Sequence, residues 1–102
     1  MRKVRLSQTY RVELRALLSQ GLPRFGVQTV RRSRDRVERA IEQTLAQHPR
    51  RLIDPQVGIC TYHVSKTPFV LLYDFDDREL RVHLLIHGSM DRAAIDLTKV
   101  VW

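Results

Sequence analysis

The sequence predicts a small α+β domain of order β-α-α-β-β-β, with a helical hairpin packed on an antiparallel-rich sheet. Three observations carry that expectation. Phe69 to Phe75 is a bulky run of aromatic and β-branched side chains, and the acidic Asp76 and Asp77 turn it back into a second such run, Leu80 to His87, together a strand hairpin. Upstream, two apolar stripes recur at helical spacing: Tyr10, Leu14, Leu17 and Leu18, then Val27, Val30, Val37, Ile41 and Leu45. Phe69 to Tyr73 is apolar without alternation, so this strand needs cover on both faces, and the helices supply one.

Taken in order, Lys3 to Leu6 alternates polar and apolar, which suits a short first strand, and Ser7 stands where an N-cap hydroxyl belongs. Arg11, Glu13 and Arg15 flank the stripe of the helix that follows. Gly21, Pro23 and Gly26 end or interrupt it: Gly21 can supply a left-handed terminal residue, and Pro23 makes its predecessor reluctant to stay helical. The second helix is expected from about Val27 to Gln47, with His48 and Pro49 as its stop. So short a connection packs the two helices antiparallel. Arg34 falls by its angle inside the second apolar arc, so its charge must snorkel, meet a carboxylate or face a partner groove. Arg50 to Gln56 reads as a loop, Val57 to Val64 as a strand and Ser65 to Pro68 as a turn. The hairpin then completes a meander of antiparallel strands. Asp91 to Ile95 suits a short helical turn, and Leu97 to Trp102 is an apolar tail whose only charge is Lys99.

With 102 residues, 43% of them hydrophobic, residues 1–102 are expected to form a single domain with a core that needs no metal or disulfide. Cys60 stands alone in a strand, a buried inert thiol in a reducing cytoplasm. Met1, Arg2 and Lys3 start the chain like a signal peptide, but Arg5, Tyr10 and Arg11 arrive before any useful apolar stretch, and no segment is long enough to span a bilayer. Charge is distributed unevenly. Residues 1–51 carry thirteen Lys and Arg against four Asp and Glu, and residues 52–102 carry five against seven. A basic helical half on a near-neutral sheet half suits a polyanion or an acidic protein partner.

Candidate chemistry is sparse. His63, His83 and His87 invite a metal reading, but strand positions four apart share a face at a separation of about 13 Å, too far for one ion. RNA cleavage needs a base, an acid and cations around a phosphate, and His63, Lys66, Tyr73, Arg81 and His83 are the right types. The plainer reading makes Tyr73 core, puts Arg81 and His83 on the solvent face of a half-buried strand, and leaves Lys66 decorating a turn. The arginines from Arg31 to Arg39 suit phosphates, but Asp35 and Glu38 interrupt them and no aromatic residue on that face can stack a base. Walker, dinucleotide-binding and zinc signatures are absent, and no cofactor is expected.

Val4 to Ser7, Arg24 to Val27, Ala46 to Pro49, Phe69 to Tyr73 and Leu85 to Asp91, in this order and spacing, resemble the RelE/ParE toxins of bacterial type II toxin-antitoxin systems. The resemblance covers nearly the whole chain, which implies one toxin domain, and the pattern at His87, Ser89, Met90 and Asp91 points to the ParE branch. RelE-like relatives cut messenger RNA on the ribosome with arginines at places held here by Val70 and Ser89, and with a C-terminal tyrosine where Ile95, Asp96 and Leu97 stand. ParE-like relatives inhibit DNA gyrase by binding and are neutralised by a ParD-like antitoxin. The resemblance therefore implies a gyrase-binding toxin with no catalytic residues of its own, touching DNA only through antitoxin or gyrase. Lys66, Tyr73, Arg81 and His83 serve the runner-up nuclease reading. A third reading is a toxin fold that has lost toxicity. Met90, Asp91, Arg92 and Trp102 are the candidate target contacts, since an apolar and aromatic segment supplies anchors of the kind that dominate interfaces. Arg34 is the candidate antitoxin contact.

Overall fold

Ser7 starts the helical half as expected. It is buried, its Oγ accepts from the Tyr10 N–H at 2.8 Å, and the same hydroxyl donates to the His83 carbonyl at 2.6 Å. One buried group thus caps the helix and ties it to a strand 76 positions away. The computed structural model describes residues 1–102. It contains β1 (Lys3–Leu6), α1 (Gln8–Arg39) with a π-helical extension (Ala40–Leu45), β2 (Cys60–His63), β3 (Phe69–Phe75), β4 (Glu79–His87) and two 3₁₀ turns, Arg92–Ala94 and Leu97–Lys99.

Helical conformation runs through Gly21 and Pro23 and breaks only at Gly26, whose φ of 81° and ψ of 167° suit glycine alone. Of the three residues expected to end or interrupt the helix, Gly26 does so, whereas Gly21 stays helical and supplies no left-handed residue. Gly21 lies between the helical limbs, where a Cβ would meet Phe25 and Val30 at 3.5 and 3.8 Å; the missing side chain opens space between them. The limbs fold back as a hairpin. In a straight helix Tyr10 and Arg34 would stand about 36 Å apart, whereas both line one groove. Val27, expected in the apolar stripe, sits at the bend and is 53% exposed. The second limb ends in a wide π turn closed by the Ala46 N–H on the Ile41 carbonyl, which turns Ile41, Leu45 and Ala46 all inward.

The sheet order is β1-β4-β3-β2, antiparallel except for β1, which lies parallel beside β4. β2 is shorter than the expected Val57 to Val64, because residues 57 and 58 turn on the Asp54 carbonyl and Gly58 has a φ of 90°. On the helix side, Tyr10, Leu14, Val37 and Leu45 pack against a sheet face that includes Leu71, Tyr73 and Leu85. The far face carries a smaller cluster of Val70, Leu72 and Ile86, covered by Val57, Ile59, Ile95 and Leu97. The second cover demanded by the apolar run of β3 is thus the loop before β2 and the C-terminal segment.

A β-bulge shifts the β3–β4 register: Leu72 pairs with Leu84 but Tyr73 pairs with Val82, leaving His83 as the extra residue. The phase of β4 reverses there. His83 shares the far face with Arg81, whereas His87 faces the helices, so the expectation that His83 and His87 share a face fails. No helix is long and apolar enough to cross a membrane.

Candidate functional site

Three surface features compete for function: a groove between β1 and the helical limbs, a polar network on the far face, and the C-terminal segment. The groove, of about 530 Å³, is bounded by Val4 and Leu6 of β1, Tyr10 and Leu14 of the first limb, and Arg34 and Ile41 beyond. β1 is an edge strand, so the groove adjoins an open ladder. Arg34 donates to Glu38 one helical turn on, at 3.1 Å, with its side chain 61% exposed. The limbs splay enough for its charge to stay in water, so this pair contributes only about 0.5 kcal/mol. The Tyr10 phenol at the floor is pushed up to about 12, by burial first and then by the Glu38 carboxylate.

On the far face Arg81 is saturated by carboxylates. Its Nε and Nη2 donate to both oxygens of Asp74 at 3.0 and 3.1 Å, and its Nη1 donates to Asp76 and Glu79 at 3.0 Å each. The hydrogen bonds to Asp74, Glu79 and Asp76, in that order, raise its pKa further above the ordinary arginine value. His83 Nε2 lies 2.9 Å from Asp74 Oδ1. Burial pushes the Asp74 carboxyl up, but the hydrogen bonds from Arg81 and His83 outweigh it and hold the group below the usual range. Asp76 is drawn down to about 2, chiefly by the backbone N–H groups of Arg78 and Glu79 and then by Arg81.

The side chains of the nuclease reading do not converge. Tyr73 is fully buried on the helix side, its hydroxyl donating to the Arg50 carbonyl, and burial pushes the phenol up to about 12. Arg81 and His83 lie on the opposite face. Lys66 sits in the turn before β3, level with His87, about 20 Å along the strand from Arg81. His63 Nε2 lies 2.8 Å from the Thr67 carbonyl in that same turn. No three His, Cys, Asp or Glu side chains are placed to share a metal ion.

Of the proposed target contacts, Met90 is 43% exposed. Asp91 accepts from the Ala93 N–H at 3.0 Å as the cap of a 3₁₀ turn, and Arg92 pairs with Asp54 at 3.4 Å, tying the segment to the loop before β2. Trp102 lies farther along the face. Its ring meets His83 edge-on at 4.8 Å, and the Arg5 guanidinium stands 4.9 Å from its centroid. The Val101 carbonyl accepts from the Gln8 N–H at 2.8 Å, so the tail also ties to the first turn of α1. Met90 and Trp102 therefore do not form one patch. Sequence reasoning missed Arg5 and Asp74. The signal for Asp74 was present, because a turn at Asp76 and Asp77 sets it opposite Arg81; Arg5 reaches Trp102 only through the parallel pairing of β1.

No protein-family model matches this sequence, and no curated protein matches it. The solved structure of the "Chromosomal ParDE TA system from P. aeruginosa" contains a chain that superposes with a TM-score of 0.68 at 17% sequence identity, over 85% of this chain and 96% of that one. The helical hairpin on a four-stranded mixed sheet is thus the fold of a component of a ParDE toxin-antitoxin system, a ParE-like α+β fold.

Proposed function

We propose that this chain is the toxin of a type II toxin-antitoxin system, ParE-like, which inhibits DNA gyrase by binding and is neutralised by a ParD-like antitoxin in the cytoplasm. The observation that carries the reading is the fold shared with a ParDE component along nearly the full length of both chains. Binding is favoured over cleavage because Arg81 is held by three carboxylates and Tyr73 is buried on the opposite face. A phosphate transition state would lack free cations there. The groove beside β1 suits an antitoxin segment with an apolar inner face and carboxylates directed at Arg11, Arg15 and Arg34. Any contact with DNA then runs through the antitoxin or gyrase.

Purified chain added to a gyrase supercoiling reaction is expected to abolish supercoiling and accumulate cleaved DNA, and a ParD-like antitoxin restores activity. Untouched supercoiling together with codon-biased mRNA cuts in a translation extract would replace this reading with a RelE-like endonuclease. If neither activity occurs and expression leaves growth unchanged, the chain is a toxin fold without toxicity. Arg34→Met tests the groove: undiminished antitoxin affinity removes Arg34 from that interface.

A further inference from the structure

The arginine face of the second limb gains from the fold what the sequence lacks there, an aromatic ring. Arg32, Arg36 and Arg39 lie within an arc of about 60° at helical spacing, and β2 brings the half-buried Tyr62 against it. Arg36, Arg39, Gln43, Tyr62, Ser65 and Lys66 line one recess of about 200 Å³, and no carboxylate does. Glu38, which interrupts the arginine run in the sequence, is bonded to Arg34 at 3.1 Å and faces the other groove together with Glu42. A fourth cation, Arg50, stands 5.7 Å from the centroid of the Tyr62 ring. Arg36, Arg39, Arg50 and Lys66 form no ion pair in the chain, with Asp35 or any other carboxylate. Like charges gathered without counter-charge repel one another in the folded state, and a bound anion relieves that repulsion.

We infer that this recess binds a free nucleoside triphosphate, its phosphates between Arg36, Arg39 and Lys66 and its base against the exposed part of the Tyr62 ring. Guanidinium forks suit phosphate oxygens, Ser65 and Gln43 add neutral donors, and a tyrosine face stacks a base of any sequence. A strand of nucleic acid fits less well, because it would need further rings along the cationic face and Tyr62 is the only aromatic residue lining the recess. The inference stands on the chemistry of this recess and is independent of the toxin reading, so a gyrase assay without inhibition would leave it in place.

The test titrates the full chain with ATP, tripolyphosphate, adenosine and oligothymidylate at constant ionic strength without divalent cations, following backbone amide shifts and the melting temperature. The expected result with ATP is saturable shifts at Tyr62, Ser65 and Lys66 and a raised melting temperature. Tripolyphosphate, which carries the phosphates without the base, should bind about tenfold more weakly, and adenosine should not bind. Tyr62→Leu brings ATP down to the affinity of tripolyphosphate and leaves tripolyphosphate unchanged, a split that a general loss of structure would not produce. Arg39→Gln alters an exposed side chain, keeps the fold, and weakens both anions about tenfold. Equal affinity for ATP and either of its parts, shifts confined to the Tyr10 and Arg34 groove, no binding, or oligothymidylate saturating the same amides at a lower phosphate concentration than ATP would each overturn the inference.

Discussion

Asp74 shows how much a single side chain organises. It is bonded by both Arg81 and His83, so Asp74→Asn leaves His83 with a weaker partner and breaks the paired geometry at Arg81. The expected cost is about 1–3 kcal/mol in urea unfolding, and Arg81→Met in the Asp74→Asn background adds to the loss, because Asp76 and Glu79 then lose the cation they share. Acid acts on the same network. Asp74 and Asp76 have folded pKa values below the ordinary 3.8 of an aspartate, so the native state binds fewer protons than the unfolded chain in that window. Their contribution is fully present above pH of about 4 and is lost as pH falls toward about 2. Thermal melting followed from pH 5 to pH 2 should show this decline, and Asp76→Asn should flatten it. The types of these residues were legible in the sequence, as was the placement of Arg81 and His83 on one face of β4. Their saturation was not, because three carboxylates reach Arg81 only once the turn at residues 76–78 and the register of β3 on β4 are set.

At the scale of elements, the two helix-region glycines separate local conformation from packing. Gly26 alone takes the non-helical backbone of the bend, so Gly26→Ala is expected to destabilise the fold by about 1–3 kcal/mol. Gly21 is helical and an added Cβ meets only ordinary contacts, so Gly21→Ala should raise stability by about 0.5–1 kcal/mol. Urea midpoints moving in opposite directions for the pair would verify the assignment; a loss in both would mean that the helix also bends at Gly21. Periodicity marked both helical stripes correctly from Tyr10 to Leu18 and from Val30 to Leu45, since the period of a helix is a property of the local chain. Which glycine made the bend was not readable, because Gly21, Pro23 and Gly26 all send the same local signal. Contacts between limbs selected among them.

Across the whole molecule the C-terminal segment serves as the second layer of the fold. Ile95 and Leu97 cover Val70, Leu72 and Ile86, so Ile95→Ser combined with Leu97→Ser should cost about 2–4 kcal/mol and increase dye binding to exposed apolar surface. A melting temperature equal to that of the unaltered chain would show that the far-face cluster contributes nothing. The same segment holds Met90, Asp91, Arg92 and Trp102, so its part in binding competes with contacts it already makes to Asp54, Arg5 and His83. By itself the sequence determined the order of elements, the cap at Ser7, the apolar stripes and the strand hairpin, because each follows from residue type and spacing over a few turns of chain. Only the tertiary structure decided that β1 lies parallel against β4, that a bulge sends His83 and His87 to opposite faces, and that the tail closes the far side. Those outcomes depend on partners as far apart as Arg5 and Trp102, and no local pattern in the chain encodes which distant surface a strand, a bulge or a tail will meet.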